Sequence, residues 1–538
     1  YKGFPVGYLL FWANHNFNNT RQIGISTKHN PIPRLLIVDG QQRLTSLYSV
    51  LKGIPVLNQE HQHMQIQIAF RPRDALFEVA DAAIRRDPEF IPDISKLWTE
   101  GMTSFKIVRN FLNNLNETHE LTEEDEETIS SAIDRVYDLQ NYPFTAMEIA
   151  STVDEQQVAD IFVRINSKGV QLRQADFILT LLSVFWDEGR ANLETFARES
   201  RRPPANNTPS PFNHFIQPAP DQLLRTSVAL GFKRARLQHV YSILRGKDLD
   251  TGQFSDERRI EQFEILKKAQ NYVLNVQNWH DFLTVLVRAG FRSNSMITSE
   301  MAIIYAYAMF LIGKYNYTID LFILRNLMAR WFFMTALTGR YSGSPETIMD
   351  QDLARLRNIK DGHTFILTLT QIIDGALTND FWEITLPNSL ETSAARSPYL
   401  FGYYAALNLL DARVLFSHMK VQELLDPALR TKRSPVERHH LFPKAYLKRI
   451  GIEETRAINQ AANFALVEWG DNLDIKDQHP ADYFPEYMER FSEEEIRQMM
   501  FWHALPEGWY EMDYETFLSH RRVLMAKVIR LGFEQLTL

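Results

Sequence analysis

Two stretches of the chain hold residues whose types and spacing suit chemistry on a phosphate ester. The first is Glu437-Arg438-His439-His440-Leu441-Phe442-Pro443-Lys444, followed downstream by Asn463 and Asn472. Phosphodiester hydrolysis needs an activated water and an electrophile on the phosphate. An imidazole that titrates near neutrality is a base for the water. Imidazole and amide-oxygen ligands with open positions suit Mg²⁺ or Mn²⁺. Neighbours in a strand point to opposite faces, so both histidines serve one site only where the chain bends or bulges. The residues alone leave open the plainer reading of two unrelated surface histidines and two turn asparagines. Residues 430 to 449 carry seven Lys/Arg, among them Arg433, Arg438 and Lys444, against one acid, Glu437. Such a run is either a solvated face or a phosphate-binding one, and its coincidence with the His-His pair favours DNA phosphate.

The second stretch is Asp39-Gly40-Gln41-Gln42-Arg43. The apolar run Leu35-Leu36-Ile37-Val38 predicts a strand, and Leu44, Leu47, Tyr48 and Leu51 predict a helix that stops at Gly53. Free N–H groups at a helix start attract anions, and Gly40 lets a phosphate approach the backbone. Arg43 in the first turn opposes the helix dipole, which suggests that an anion is expected beside it. The plainer alternative is Asp39 as a polar cap with Arg43 solvated.

These stretches sit in an α+β pattern of several domains. Residues 1 to 200 read as a mixed α/β domain, 221 to 420 as a helical middle, and 421 to 538 as a third domain. Met64 to Phe70 alternates like a half-buried strand, and Phe144 to Ile149 like another. Helices are expected over Glu123–Leu139, Asp154–Arg164, Glu261–Val276, Asp281–Val287, Glu300–Ile312, Ile319–Leu337, His363–Ala376 and Tyr514–Phe533. Six prolines between residues 201 and 220 mark a loop. Trp331, Phe332 and Phe333 read as core. Around the histidines, strands are expected over Pro435–Phe442 and Asn463–Val467, then a helix over Lys476–Tyr483. Thr338 to Ser344 reads as a linking turn, and Glu123 to Glu127 as an acidic helix start.

With 538 residues, 45% hydrophobic and 23% charged, the chain has the composition of a multidomain globular protein. It has no cysteine, which excludes disulfides, thiolate zinc sites and cysteine nucleophiles. The net charge of −8 argues against indiscriminate coating of nucleic acid but leaves a local DNA-binding field open. The apolar run Met301 to Ile312 is too short to cross a bilayer, so no membrane partner is expected. The absence of cysteine fits a cytoplasmic protein. Because the chain opens at Tyr1 within an apolar pattern, further residues upstream are expected.

Leu36-Ile37-Val38-Asp39-Gly40-Gln41-Gln42-Arg43-Leu44-Thr45-Ser46-Leu47 resembles the signature of the N-terminal domain of GmrSD-type proteins, a relative of the ParB/sulfiredoxin fold. Phe4 to Trp12 fits the same pattern, and Ile161 to Leu172 resembles that family's second block. A further polar motif of the family, normally upstream of the first block, is not in this chain. The resemblance implies NTP (GTP or ATP) binding and hydrolysis at Asp39, Gly40, Gln41, Gln42 and Arg43, completed by Asn166 and Lys168. Asp39 and Arg43 would share in that catalysis. Sulfiredoxin chemistry is closed by the absence of cysteine, and there is no P-loop.

Arg438 to Leu447, Ala462 to Val467 and Asn472 to Asp477 resemble the HNH (ββα-metal) domain at the C-terminus of GmrSD-type proteins, with His439 where many HNH members carry Asp. That resemblance implies His439 and Asn472 as metal ligands, His440 as general base and Asn463 as holder of the loop or of the base. His479 is a further candidate ligand or a helix-flanking turn. Together the two resemblances imply a modification-dependent DNA endonuclease of phage defence, gated by NTP. Two alternatives stay open: a non-catalytic, nucleotide-controlled DNA-binding protein, and an RNA-targeting toxin. Nothing in the sequence sets the number of copies that assemble.

Overall fold

The computed structural model describes the chain except residues 4–6, 14–33, 58–62, 154–156, 159–160, 162–174, 176–177, 180–181, 183–184, 205–207, 249–250, 428–435, 469–474, 476 and 538. It is a mixed α+β chain, with a small-sheet region first and a largely helical remainder. The chain divides into two units, Tyr1–Leu172 and Arg173–Leu538. The expected helical middle and third domain both fall in the second unit.

In the first unit, strands β1 (Leu9–Ala13), β2 (Leu35–Asp39) and β7 (Ala146–Ile149) form a sheet in the order β2-β1-β7. β1 runs antiparallel to β2 and parallel to β7. Its inward residues Leu10 and Trp12 pack with Ile149 and Val158. Short strands β3 (Val56–Leu57) and β4 (His63–Met64) pair, as do β5 (Ile68–Arg71) and β6 (Leu76–Val79). The single strand expected over Met64 to Phe70 is therefore broken. Ser49 Oγ accepts the Ile66 N–H at 3.2 Å, and the Gln65 amide donates to the Gly53 carbonyl, which takes the chain off the ladder between β4 and β5.

Helices α2 (Ser104–Asn116) and α3 (Glu123–Tyr137) close a second core, in which Ile107, Phe111 and Leu115 meet Ile129, Ile133 and Val136. The acidic start of α3 is a capping box: Thr122 accepts from the Asp125 N–H, and the Asp125 carboxylate accepts from the Thr122 N–H. Asp125 also takes a hydrogen bond from Arg73, which pulls its pKa down to about 2. Of the helix expected over Asp154–Arg164, only Gln157, Val158 and Ile161 are described, and all three are helical.

The second unit is built on helix α4 (Glu300–Tyr315), buried all round from Ala302 to Gly313. That is where an apolar run without an amphipathic stripe belongs in a globular chain. Around it pack α5 (Leu321–Leu337), whose Trp331, Phe332 and Phe333 are fully buried, and the helix Pro220–Phe232. One helix spans Asp256–Val273 and the next Val276–Arg288, split at Asn275, whose side chain caps the second by accepting from the Asn278 N–H. The helix expected to run to Val276 ends there. The turn from Thr338 to Ser344 is a packed link: Arg340 forks onto Asp352, and the buried Tyr341 hydroxyl donates to the same carboxylate at 2.8 Å. The closing helix α6 (Tyr514–Glu534) lies on helix Pro398–Leu409. Among the described residues no helix is long and apolar enough to cross a membrane.

Candidate functional site

In the first unit, β2 runs into α1 (Gln41–Lys52) through Gly40, which serves as N-cap with φ +93°. The cap has no side-chain hydrogen bond, so Asp39 is not the cap. Instead the Arg43 guanidinium reaches back one turn, and its Nη2 lies 3.1 Å from Asp39 Oδ2. Two left-handed glycines border this pair. A Cβ on Gly40 would stand 2.5 Å from Leu9 Cδ2 and 3.5 Å from Arg43 Nη2, and one on Gly7 would stand 2.3 Å from Arg43 Nη1. Any larger residue at either glycine would displace the arginine or the Leu9 strand. The Gln41 amide donates to the Ile37 carbonyl at 3.1 Å, and the Gln42 side chain is exposed. Asp39 and Arg43 are each partly open to solvent. The turn thus gathers a cation, a carboxylate, glycine backbone and a helix start on one strand end. Asn166 and Lys168 lie outside the described residues.

In the second unit, β8 (Val436–His440) pairs antiparallel with β9 (Phe464–Glu468), from Val436 opposite Glu468 to His440 opposite Phe464. The expected hairpin is present. Its register is unbroken, so no bulge turns the two imidazoles to one side. His439 is 3% exposed, and its ring meets Tyr483 edge-on with centroids 5.9 Å apart. His440 is half-buried on the other face, its ring 4.7 Å from that of Phe464. Its Nε2 lies 2.9 Å from Asn459 Oδ1. An amide oxygen only accepts, so this contact suits the tautomer with the proton on Nε2 and the lone pair on Nδ1. Burial lowers the His440 pKa; the Asn459 hydrogen bond opposes the shift, and the Lys444 ammonium adds to it. The imidazole is therefore neutral at neutral pH, the form a base requires.

Asn463 is fully buried at the end of the hairpin. Its Oδ1 accepts from the Phe442 N–H at 2.8 Å, and its Nδ2 donates to the carbonyls of Phe442 and Ile458, each at 3.1 Å. The amide clasps the chain just beyond His440 to the end of the short helix α7 (Thr455–Ile458) and touches no open surface. Three further groups, absent from the sequence reading, brace the same place. The Tyr483 hydroxyl donates to the Leu441 carbonyl at 2.7 Å; burial holds that phenol protonated, far above its ordinary pKa. The buried Arg521 donates to the carbonyls of Ala462 at 2.6 Å and His503 at 3.2 Å. Tyr514 donates to the carbonyls of Ala457 and Ile458. No spacing rule singles these out, since each is a helical residue among many apolar ones.

Lys444 opens the helix Lys444–Arg449 with an exposed side chain. Arg438 lies in β8 with only its backbone described, and Arg433 and Asn472 lie outside the described residues. The helix expected over Lys476–Tyr483 is not continuous: residues 477 to 479 are non-helical, and a helix begins at Pro480. His479 caps it, Nδ1 accepting from the Ala481 N–H at 2.9 Å, and a residue before proline is pushed out of the helical region. Among the described residues no three His, Asp or Glu side chains gather into a metal-holding group. His439 is thus the one described member of the expected ligand pair. A pair of one imidazole and one amide oxygen would leave most of an ion's coordination to water and substrate, which suits Mg²⁺ or Mn²⁺. No curated protein matches the chain. Residues 1–183 match the family model described as GmrSD restriction endonuclease, N-terminal domain.

Proposed function

We propose that this protein is a DNA endonuclease of modification-dependent restriction, with an NTP site at Asp39 to Arg43 that gates hydrolysis at the His440 hairpin. The observation that carries the nuclease reading is the placement of the His440 imidazole: half-buried, with Nε2 2.9 Å from Asn459 Oδ1 so that Nδ1 is left for a water, on a clasped hairpin beside the exposed Lys444. In this reading Nδ1 accepts the proton of the attacking water. Asn463, with Tyr483 and Arg521, keeps the turn after His440 in one geometry. Lys444, Arg438 and Arg433 hold DNA phosphates. Mg²⁺ or Mn²⁺ would supply Lewis-acid stabilisation of the phosphate. His439, buried on the face opposite His440, does not reach that site without a bend in β8, which leaves Asn472 as the ligand that the resemblance implies. The match of residues 1–183 supports a restriction nuclease with DNA as substrate, and the nucleotide site at the β2–α1 turn is what the sequence resemblance implies. Modified phage DNA as the target, GTP or ATP as the nucleotide and a bacterial cytoplasmic location follow from the resemblance alone, and a homo-oligomer is left open.

The test is plasmid nicking with Mg²⁺ or Mn²⁺. His440→Ala is expected to lower the rate about 10³-fold with DNA binding intact, within the range of general-base contributions. Equal rates in the two proteins would remove His440 from the chemistry. A second reading, a non-catalytic nucleotide-controlled DNA-binding protein, draws on the burial of His439 at 3% exposure. It predicts DNA binding without nicking under either metal.

A further inference from the structure

We propose that Asn459 is the positioning residue of the base: its amide oxygen selects the tautomer and ring orientation of His440. This rests on the reading of His440 as base and deepens it. The contact is Nε2–H to Oδ1 at 2.9 Å. An unconstrained neutral imidazole divides its proton between two nitrogens and turns about its side-chain bonds, so only part of its population presents a lone pair on the useful nitrogen. Here the ring packs at a tilt against Phe464 and its Nε2 is held by Asn459.

Asn459 is itself mounted rigidly. Its N–H donates to the Thr455 carbonyl at 2.9 Å, where the α7 helix ends. The two carbonyls before it, of Ala457 and Ile458, receive the Tyr514 hydroxyl, and that of Ile458 also receives the Asn463 amide. One clasp therefore fixes both ends of the contact: Asn463 holds the chain after His440 and the residue before Asn459. Asn459 supplies the acceptor that in many hydrolases is a carboxylate, but without negative charge, so it orients the ring while burial still outweighs its pull toward the imidazolium.

Three variants test this: Asn459→Leu, of similar size and without an acceptor, Asn459→Asp, which keeps an acceptor oxygen, and His440→Gln, which identifies the His440 signals. The first readout is the imidazole ¹⁵N spectrum of protein labelled at histidine. Wild type is expected to show His440 as the Nε2–H tautomer, Asn459→Leu a mixture, and Asn459→Asp a single tautomer again. The second readout is nicking. Asn459→Leu is expected to lose about 10- to 100-fold in kcat with KM unchanged, and Asn459→Asp to stay within a few-fold of wild type. An unchanged tautomer in Asn459→Leu overturns the proposal, as does an Asn459→Asp enzyme as slow as the leucine variant. If the wild type nicks no DNA, the base reading falls, and the tautomer readout alone decides whether Asn459 sets the ring. Thermal melting of each variant separates these outcomes from unfolding.

Discussion

The β2–α1 turn and the β8–β9 hairpin both present polar side chains at the end of a strand, and they do it by opposite means. The turn uses charge near solvent: Asp39 and Arg43 face each other across 3.1 Å, and two glycines leave room for the guanidinium. The hairpin uses neutral or carbonyl-bound groups inside the protein: Asn463, Tyr483 and Arg521 all end on backbone carbonyls. A solvent-facing ion pair is worth little to stability, so the turn is free to exchange one charged partner for another. A buried clasp is costly to break, because each lost partner leaves a polar group without water. The contrast predicts that changes to the clasp of the hairpin act first on folding, and changes to the charged side chains of the turn act first on ligands.

The largest effect is expected at Asn463. Alanine there leaves the Phe442 N–H, the Phe442 carbonyl and the Ile458 carbonyl without the amide, for a cost of about 3 kcal/mol. A urea midpoint unchanged in Asn463→Ala would mean that the clasp is decorative. His503 comes next. Burial pushes its imidazole down to about 3, and its Nε2 donates to the Arg413 carbonyl at 3.0 Å. The unfolded chain takes up a proton near 6.5 and the folded protein does not until about pH 3, so this group's contribution to stability falls as pH drops through that window. His503→Gln removes the titration. The stability gap between wild type and variant is expected to narrow by about 2 kcal/mol from pH 7 to pH 5. A constant gap in urea titrations at the two pH values would count against a neutral buried imidazole. Gly40→Ala follows, at about 2 kcal/mol, from its φ of +93° and the 2.5 Å approach of Leu9 Cδ2, measured as a lower melting temperature.

The same contrast explains what was legible in the sequence. The turn is a local object: an apolar run, Asp-Gly and a helical period lie within twenty residues, and the structure forms the strand and helix as expected. The pairing of Asp39 with Arg43, four residues apart, is legible in retrospect from helical spacing. The hairpin strands are legible from the resemblance to the HNH arrangement, with Pro443 marking the end of the first. The division of faces between His439 and His440 follows from the strand period, but which face is buried does not, because that is decided by Tyr483, more than forty residues on. Asn459 is invisible for the same reason: its function comes from where α7 ends relative to β8. Local side-chain hydrogen bonds account for the other differences, at Ser49 for the broken strand, at Asn275 for the shifted boundary between two expected helices and at His479–Pro480 for the interrupted one.

Arg43→Ala is where the smallest change in stability should meet a clear change in function. The Arg43 side chain is 39% exposed and its Asp39 partner 27%, so solvent screening leaves the pair worth about 0.5 kcal/mol, and the melting temperature should barely move. With folding unaffected, a change in activity is attributable to the lost cation. At a helix start the backbone N–H groups already favour an anion, and the guanidinium adds a bidentate donor. If the turn binds the nucleotide and gates the hairpin, NTP hydrolysis by Arg43→Ala should fall, and the NTP-dependent part of DNA cleavage with it. Measured side by side, a fall in NTP turnover with cleavage unchanged separates the two sites. Survival of both activities would leave the turn as an ordinary capped helix and end the gating idea.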